Sequence, residues 1–396
     1  MAARAARVAA FLIPDGFMPM IAYLAEWTRK KDTLFASLAD AAGGGVRLRA
    51  IGLSLRGYPE SDARARAALA VAKRQPRGPV GRWLKYWLIR LQYNWARRYF
   101  TRHPDRIAVC WNGLTGSRRA FMAGAQDAGA ARLFAELAPF PGRATLDPEG
   151  VNAQNSLPRE GAFYRGWAEG QGGVDDNWRV LGANLTARAS RRADVGQTGA
   201  EALTDAGNFL FVPLQVPNDS QITLFAGWVQ SVQGMLSALA EAAQALPDGW
   251  HIRIKEHPSA RTSLAEPLAN ALECGGGRLV VDNQTDTFEQ VRASGGVITI
   301  NSSVGLQAFF YDRPVIVLGQ AFFAIDGLVH VAPDSDSLKA LLAAPEILQF
   351  DADLRADFMT FLDRVYYPRI STDAEGHVSL DMDDARAKIA QATAVK

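Results

Sequence analysis

The stretch that most constrains this chain is GGVITINSSVGLQA, residues 295–308. Its apolar, β-branched run from Val297 to Ile300 reads as a strand buried on both faces, and the apolar run 306–310 beyond it reads as a helix. Between them lies Asn301-Ser302-Ser303-Val304-Gly305. A strand that ends in small hydroxyl residues opening a helix offers backbone N–H groups and Ser hydroxyls to an anion, commonly a phosphate. The same residues also suit an ordinary helix N-cap. A second strand end lies upstream, where Trp250-His251-Ile252-Arg253-Ile254 runs into Lys255-Glu256-His257-Pro258. It sets a cation and an imidazole where ligands bind in open α/β sheets, outside the carboxyl ends of the strands.

With 396 residues the chain is long enough for two domains with real cores, and at 48% hydrophobic and 21% charged it is globular. A formal charge of +2 gives no reason to expect nucleic acid as partner. Cys110 and Cys274 lack metal-ligand spacing and point to a reducing compartment. The apolar residues 8–13 are too few for a membrane span, so 7–14 is expected to be a first strand. The expectation is a cytoplasmic protein, with any membrane contact peripheral, at the cytoplasmic face of the inner membrane.

Strand and helix signals alternate along the first half. Helices are expected over 18–29, 34–42 and 117–128, and strands over 46–53, 107–111 and 131–137. Residues 73–106 hold ten Lys and Arg among seven Trp, Tyr and Phe, with Asp105 as the one acid. A helix from Gly81 to Tyr99 fits this segment, either lying on an anionic membrane or packed on the sheet with a solvated basic rim. The polar loop 146–159 has the length and turn chemistry of a functional loop. Helices over 162–167 and 176–190 and a linker over 191–208 lead to the second half. There strands at 209–214, 250–256, 279–282, 297–300 and 315–319 alternate with helices at 224–245, 263–274, 287–294 and 304–311, and helices at 336–344, 354–365 and 381–394 follow. The expected fold class is α/β and GT-B-like: two Rossmann-like domains facing a cleft, with C-terminal helices. The domains are taken as 1–200, 201–345 and a tail, 346–396, that packs back on them. No G-x-G-x-x-G follows the first strand, which argues against a dinucleotide redox enzyme.

Five motifs in order carry a family resemblance: WNG (111–113), LDPEGVN with SLPR (146–159), PLQVPNDSQI (213–222), KEHP (255–258) and NSSVGLQA followed by RPVIVLG (301–319). Together they resemble the bacterial capsular-polysaccharide biosynthesis glycosyltransferases, the retaining β-Kdo transferases that use CMP-Kdo. The resemblance implies that the second half binds the CMP-sugar donor. Ser302 and Ser303, beside Asn301, would hold the phosphate. His257 would donate to a phosphate oxygen or stabilise departing CMP, Lys255 would add charge, and Gln215 and Asp219 would shape the site, Asp219 being equally suited to a helix N-cap. Glycosyl transfer places carboxylates around an oxocarbenium-like centre. Asp147 is expected as the nucleophile and Glu136 as the general base, against their plain readings as a turn opener and a strand-end residue. Asn152 and Arg159 are candidates for the sugar carboxylate or the acceptor.

Two departures stand out: Glu136 is followed by Leu137-Ala138-Pro139 instead of a Glu-x-Gly pattern, and Gln307 occupies a position often held by Glu. No D-x-D pair is present, so no obligatory metal or cofactor is expected beyond the nucleotide-sugar donor. The expected partners are that donor and a lipid-linked or glycan acceptor. The rival readings are another GT-B sugar-nucleotide enzyme, sialyltransferase-like or an epimerase, and a non-catalytic capsule assembly or export component.

Overall fold

A computed structural model describes residues 19–187, 189–199 and 203–394. The expected strand over 7–14 lies outside them. The chain divides into two compact units, each an α/β fold on a largely parallel sheet, as expected of the Rossmann-like class. The first takes the described residues up to Ala138, then Gly142–Ser156 and those from Tyr367 on; the second takes Pro139–Pro141 and Leu157–Tyr366. The crossing points therefore differ from the expected 200/201 and 345/346.

The first unit contains β1 (Met20–Leu24), α1 (Arg29–Ala41), β2 (Gly45–Leu48), α2 (Ser61–Ala70), α3 (Gly78–Arg102), β3 (Arg106–Trp111), α4 (Gly116–Asp127), β4 (Arg132–Leu137) and β5 (Ala144–Asp147). Its sheet runs β2-β1-β3-β4-β5, parallel except for the antiparallel β4–β5 pair. The helix expected over 18–29 is wrong for its first part. Met20–Leu24 pairs with strands on both sides and buries residues on both faces, so it never shows the period-2 alternation that marks a half-buried strand.

The second unit holds α5 (Gly161–Gly170), α6 (Asn177–Gly182), β6 (Asn208–Pro213), α7 (Ser220–Phe225), α8 (Val232–Ala242), β7 (Trp250–Lys255), α9 (Ala265–Cys274), β8 (Leu279–Val281) and α10 (Thr287–Ala293). It continues with β9 (Gly296–Thr299), α11 (Ser303–Gln307), β10 (Val315–Val317), β11 (His330–Val331), α12 (Ser335–Leu342) and α13 (Ala352–Phe361). The six strands are all parallel, in the order β11-β10-β9-β6-β7-β8, over a core that includes Leu210, Val212, Ile252, Ile254, Ile298 and Ile316. The single helix expected over 224–245 is two helices. Asp219 caps α7 through Gln221 N and Ser231 caps α8 through Gly234 N, with a 3-10 turn at Gly227–Val229 between them.

The expected linker 191–208 is partly built into this unit. Gly196 N donates to Asn283 O, Thr198 N to Gln284 O, and Arg192 makes a two-pronged ion pair with Glu256.

The chain ends in the first unit with β12 (Ile370–Thr372), β13 (Val378–Leu380) and α14 (Met382–Ala394). Val378, Leu380, Ala385 and Ile389 join Ile21, Phe35, Val109 and Leu133 in one core. Thr33 and Ser37 of α1 accept the backbone N–H groups of Val378 and Leu380, which anchors β13 to α1.

Candidate functional site

In each sheet the strand order reverses once, and that reversal marks where an open α/β sheet leaves a crevice beyond its strand ends. In the second unit it falls between β9 and β6. Phe211 of β6 pairs with Val297 of β9, and Pro213 pairs with Lys255 of β7. Carried four residues past the Phe211–Val297 pair and two past the Pro213–Lys255 pair, this register sets Gln215 level with both Asn301 and His257. The side chains agree with it. Gln215 Nε2 donates to Asn301 Oδ1 at 2.9 Å, and Asn301 N donates to Gln215 Oε1 at 3.3 Å. With adjacent strands about 4.8 Å apart, the three strand ends span about 10 Å, room for a phosphate and the sugar attached to it.

Each expected donor-site residue has a definite place on this edge. Asn301 is buried and a brace: its Nδ2 donates to Gln221 O and Phe225 O at 3.0 and 3.1 Å, closing the end of α7. Ser302 is the N-cap of α11, with Oγ accepting from Val304 N at 3.2 Å. Ser303 opens the first turn and is exposed. Gly305 lets α11 close onto β9, since a Cβ there would stand 2.9 Å from Thr299 Cγ2. The α-helix is shorter than expected, five residues followed by a 3-10 turn at Ala308–Tyr311. Attraction for an anion here comes from N–H and O–H groups of the first turn more than from a long helix dipole. His257 Nδ1 accepts from Ser259 N at 3.0 Å, which puts the ring proton on Nε2 as a donor.

One expectation is corrected and one open alternative is decided. Lys255 does not lend its charge to a ligand: it is buried, and Nζ donates to the carbonyls of Gly196, Asn283 and Thr285 at 2.7–2.8 Å, using all three N–H bonds. Burial lowers its pKa. Asp219 is the N-cap of α7, accepting from Gln221 N at 2.9 Å. One group on this edge was missed from sequence. Gln221 is buried, and neither atom of its side-chain amide has a hydrogen-bond partner among the described residues. Such unused capacity marks a place for water or a ligand. Its position in PLQVPNDSQI, just beyond the cap, was the available signal.

The first unit repeats the pattern at the reversal between β1 and β3. The pairs Tyr23–Val109 and Trp111–Ala135, continued past the strand ends, bring Glu26, Asn112 and Glu136 level. Asn112 Nδ2 donates to Glu136 Oε2 at 3.0 Å. Buried Glu26 is ion-paired with Arg118, which also donates to Trp111 O, and Lys31 Nζ lies 4.3 Å from the centre of the Trp111 ring. Burial lowers the pKa of Lys31, with the Glu26 and Glu136 carboxylates opposing. The WNG turn is fixed by left-handed backbone at Asn112 and Gly113, and a side chain at Gly113 would strike Phe134. Glu26, Lys31 and Arg118 were missed because β1 was read as helix, which hid its strand end.

Asp147 is the second correction. It is 0% exposed, and its carboxylate accepts from Glu149 N, Gly150 N, Ser156 N and Ser156 Oγ at 2.7–3.0 Å. A carboxylate so enclosed clamps its own loop and is not poised as a nucleophile. Asn152 sits in the same loop with left-handed backbone and opens a 3-10 turn. Arg159 belongs to the second unit and donates from Nη1 to Leu157 O at 2.8 Å.

Residues 175–361 match the family model described as "Capsule polysaccharide biosynthesis protein". Protein FixF of Sinorhizobium fredii is 32% identical over 288 residues, covering 71% of this chain and 66% of that protein. The capsule polysaccharide modification protein LipB of Neisseria meningitidis is 31% identical over 128 residues, 31% of this chain and 30% of that protein. The chain thus spans less than two thirds of each. Among solved structures, the β-Kdo 2,7 transferase KpsC of Thermosulfurimonas dismutans aligns over 76% of this chain and 89% of its own, at 12% identity and a TM-score of 0.45.

Proposed function

We propose, from the match of residues 175–361 to the capsule polysaccharide biosynthesis protein family model, that this chain is a glycosyltransferase that moves Kdo from CMP-Kdo to a lipid or glycan acceptor. The observation that carries the reading is the edge where β9, β6 and β7 end, with Ser303, Gln215 and His257 just beyond the ends of these three adjacent strands. The leaving group of a CMP-sugar is a phosphate monoester. Donors held in place before the reaction stabilise its charge most as the glycosidic bond breaks. Ser303 and the first-turn N–H groups take the phosphate oxygens, and His257 Nε2–H donates to the oxygen that leaves the sugar. Gln215, braced by Asn301, and the Gln221 amide serve the rest of the nucleotide.

In the first unit Glu136 is the carboxylate proposed to take the proton of the acceptor hydroxyl, positioned by Asn112. Asp147 has no chemical role in this reading. Retention at the anomeric carbon is part of the proposal and is checked by the proton NMR spectrum of the product.

The test mixes purified protein with CMP-Kdo and a lyso-phosphatidylglycerol acceptor and measures released CMP and lipid-linked Kdo. The expected result is both products in equal amounts. Glu136→Gln is expected to lower turnover by roughly 10²-fold or more while CMP affinity is kept. Folded protein that releases no CMP would overturn the proposal, and stabilisation by UDP but not CMP in a thermal-shift panel would favour a sugar-nucleotide epimerase.

A further inference from the structure

Helix α3 has two apolar faces, and the fold uses one. Ile89, Tyr93, Ala96 and Phe100 are buried, with Ile89 and Tyr93 in a cluster with Ala65, Ala68, Leu69 and Ala120 of α2 and α4. About half a turn round the helix, Val80, Trp83, Leu84, Trp87 and Leu88 form an i, i+3, i+4, i+7, i+8 stripe. All five are exposed, Trp83 by 59% and Leu84 by 57%. Their arrangement is ordered, since the Trp83 and Trp87 rings meet edge-on at 6.3 Å and Arg90 lies 5.0 Å over Trp87.

The loop after β2 extends the same face. Ser54 N donates to Leu91 O, and Gly52 is packed so close to Trp95 that a Cβ there would stand 2.3 Å from its Nε1. Leu91 and Trp95 continue the stripe by one and two turns. Leu53 and Leu55, carried by that loop, are exposed beside them.

The charge around this patch has one sign. No acidic residue occurs between Asp62 and Asp105, whereas Lys73, Arg74 and Arg77 lead into the helix and Arg82 stands on it, all four exposed. Asp62, at the margin, is engaged by Arg90 and Tyr86. No described helix is long and apolar enough to cross a membrane. A protein partner would more often be met by an apolar core with a mixed polar rim. Here two tryptophans and three aliphatic side chains lie among mostly basic residues, with Asp62 at the margin held by Arg90 and Tyr86, which suits the boundary between acyl chains and anionic headgroups.

We infer that the N-terminal half of α3, with Leu53 and Leu55, lies in the surface of a bilayer that carries anionic lipids. This does not rest on the glycosyl-transfer reading, because docking needs neither donor nor acceptor. The experiment is co-sedimentation of the full chain with phosphatidylethanolamine vesicles containing phosphatidylglycerol, beside phosphatidylcholine vesicles, at low and high salt. Wild type is expected to sediment with the anionic vesicles, weakly with the neutral ones, and less at high salt. Trp83→Ala with Leu84→Ala is expected to weaken binding by about ten-fold or more with an unchanged melting temperature. Arg77→Ala with Arg82→Ala is expected to remove most of the salt dependence. The inference is overturned if wild type does not sediment with anionic vesicles or if the Trp83/Leu84 variant sediments as wild type does. It is also overturned if that variant converts a dimer to a monomer in light scattering, since the face would then be covered by a second copy.

Discussion

In the proposed reading two neighbouring serines divide the work of stability and binding at the second unit's strand edge. Ser302 caps α11, so Ser302→Ala is expected to cost about 1 kcal/mol in unfolding. Ser303 is exposed, so Ser303→Ala is expected to leave the melting temperature unchanged and weaken CMP binding by about ten-fold. Paired denaturation and calorimetry on the two variants check this, and identical behaviour would contradict it. Asp147→Ala leaves four buried or partly buried donors of its loop without their acceptor and is expected to destabilise the first unit by roughly 2–4 kcal/mol while CMP affinity is kept. Lys388 gives a pH test. Burial pushes its ammonium down to about 8, with the Asp147 and Asp384 carboxylates opposing. Below that pH both folded and unfolded chains hold the proton and the folded state bears the cost of burying it. Between pH 8 and the ordinary lysine value the unfolded chain binds more protons, so stability rises with pH across that window. Lys388→Met is expected to lose this rise. Melting curves across the window decide it, and parallel curves would count against it. The sequence showed at this scale which residue types stand at strand ends. It did not show how each charged group is spent, Lys255 as donor and Asp147 as acceptor, because their partners come from segments tens of residues away or from the loop's own fold.

At the scale of elements, the strand–turn–helix unit β9–α11 was legible from residues 295–308 because a doubly buried strand is a continuous apolar run and its cap residues follow at once. The close fit of α11 on that strand was not legible, since it depends on contact with Thr299 and Phe323. Gly305→Ala is expected to force α11 away from β9, cost about 1–3 kcal/mol and weaken CMP binding together with stability, unlike Ser303→Ala. β1 failed for the opposite reason. Met-Ile-Ala-Tyr-Leu has the apolar character of either element, and only pairing with β2 and β3 decides it. That one misreading concealed Glu26 and, through it, the charged cluster beside Glu136.

For the molecule as a whole, the alternation of strands and helices implied two parallel sheets in one chain, and the structure has them, the first with an antiparallel edge strand, β5. The assignment of the last residues could not be read in advance, because the apolar side chains of β13 and α14 suit any complementary core. They complete the first unit's core, more than two hundred residues downstream of β5. Removing α14 is therefore expected to expose the first unit to protease while 157–366 stays resistant, and cleavage spread evenly over both would contradict that division. The account's central claim concerns the second unit's strand edge, and it is tested most directly by calorimetric titration of CMP into wild type, Ser303→Ala and His257→Ala, with UDP and GDP as controls. The predicted result is binding of CMP alone, weakened by about ten-fold in each variant at unchanged melting temperature. Absence of CMP binding to folded wild type, or equal affinity in all three proteins, would contradict it.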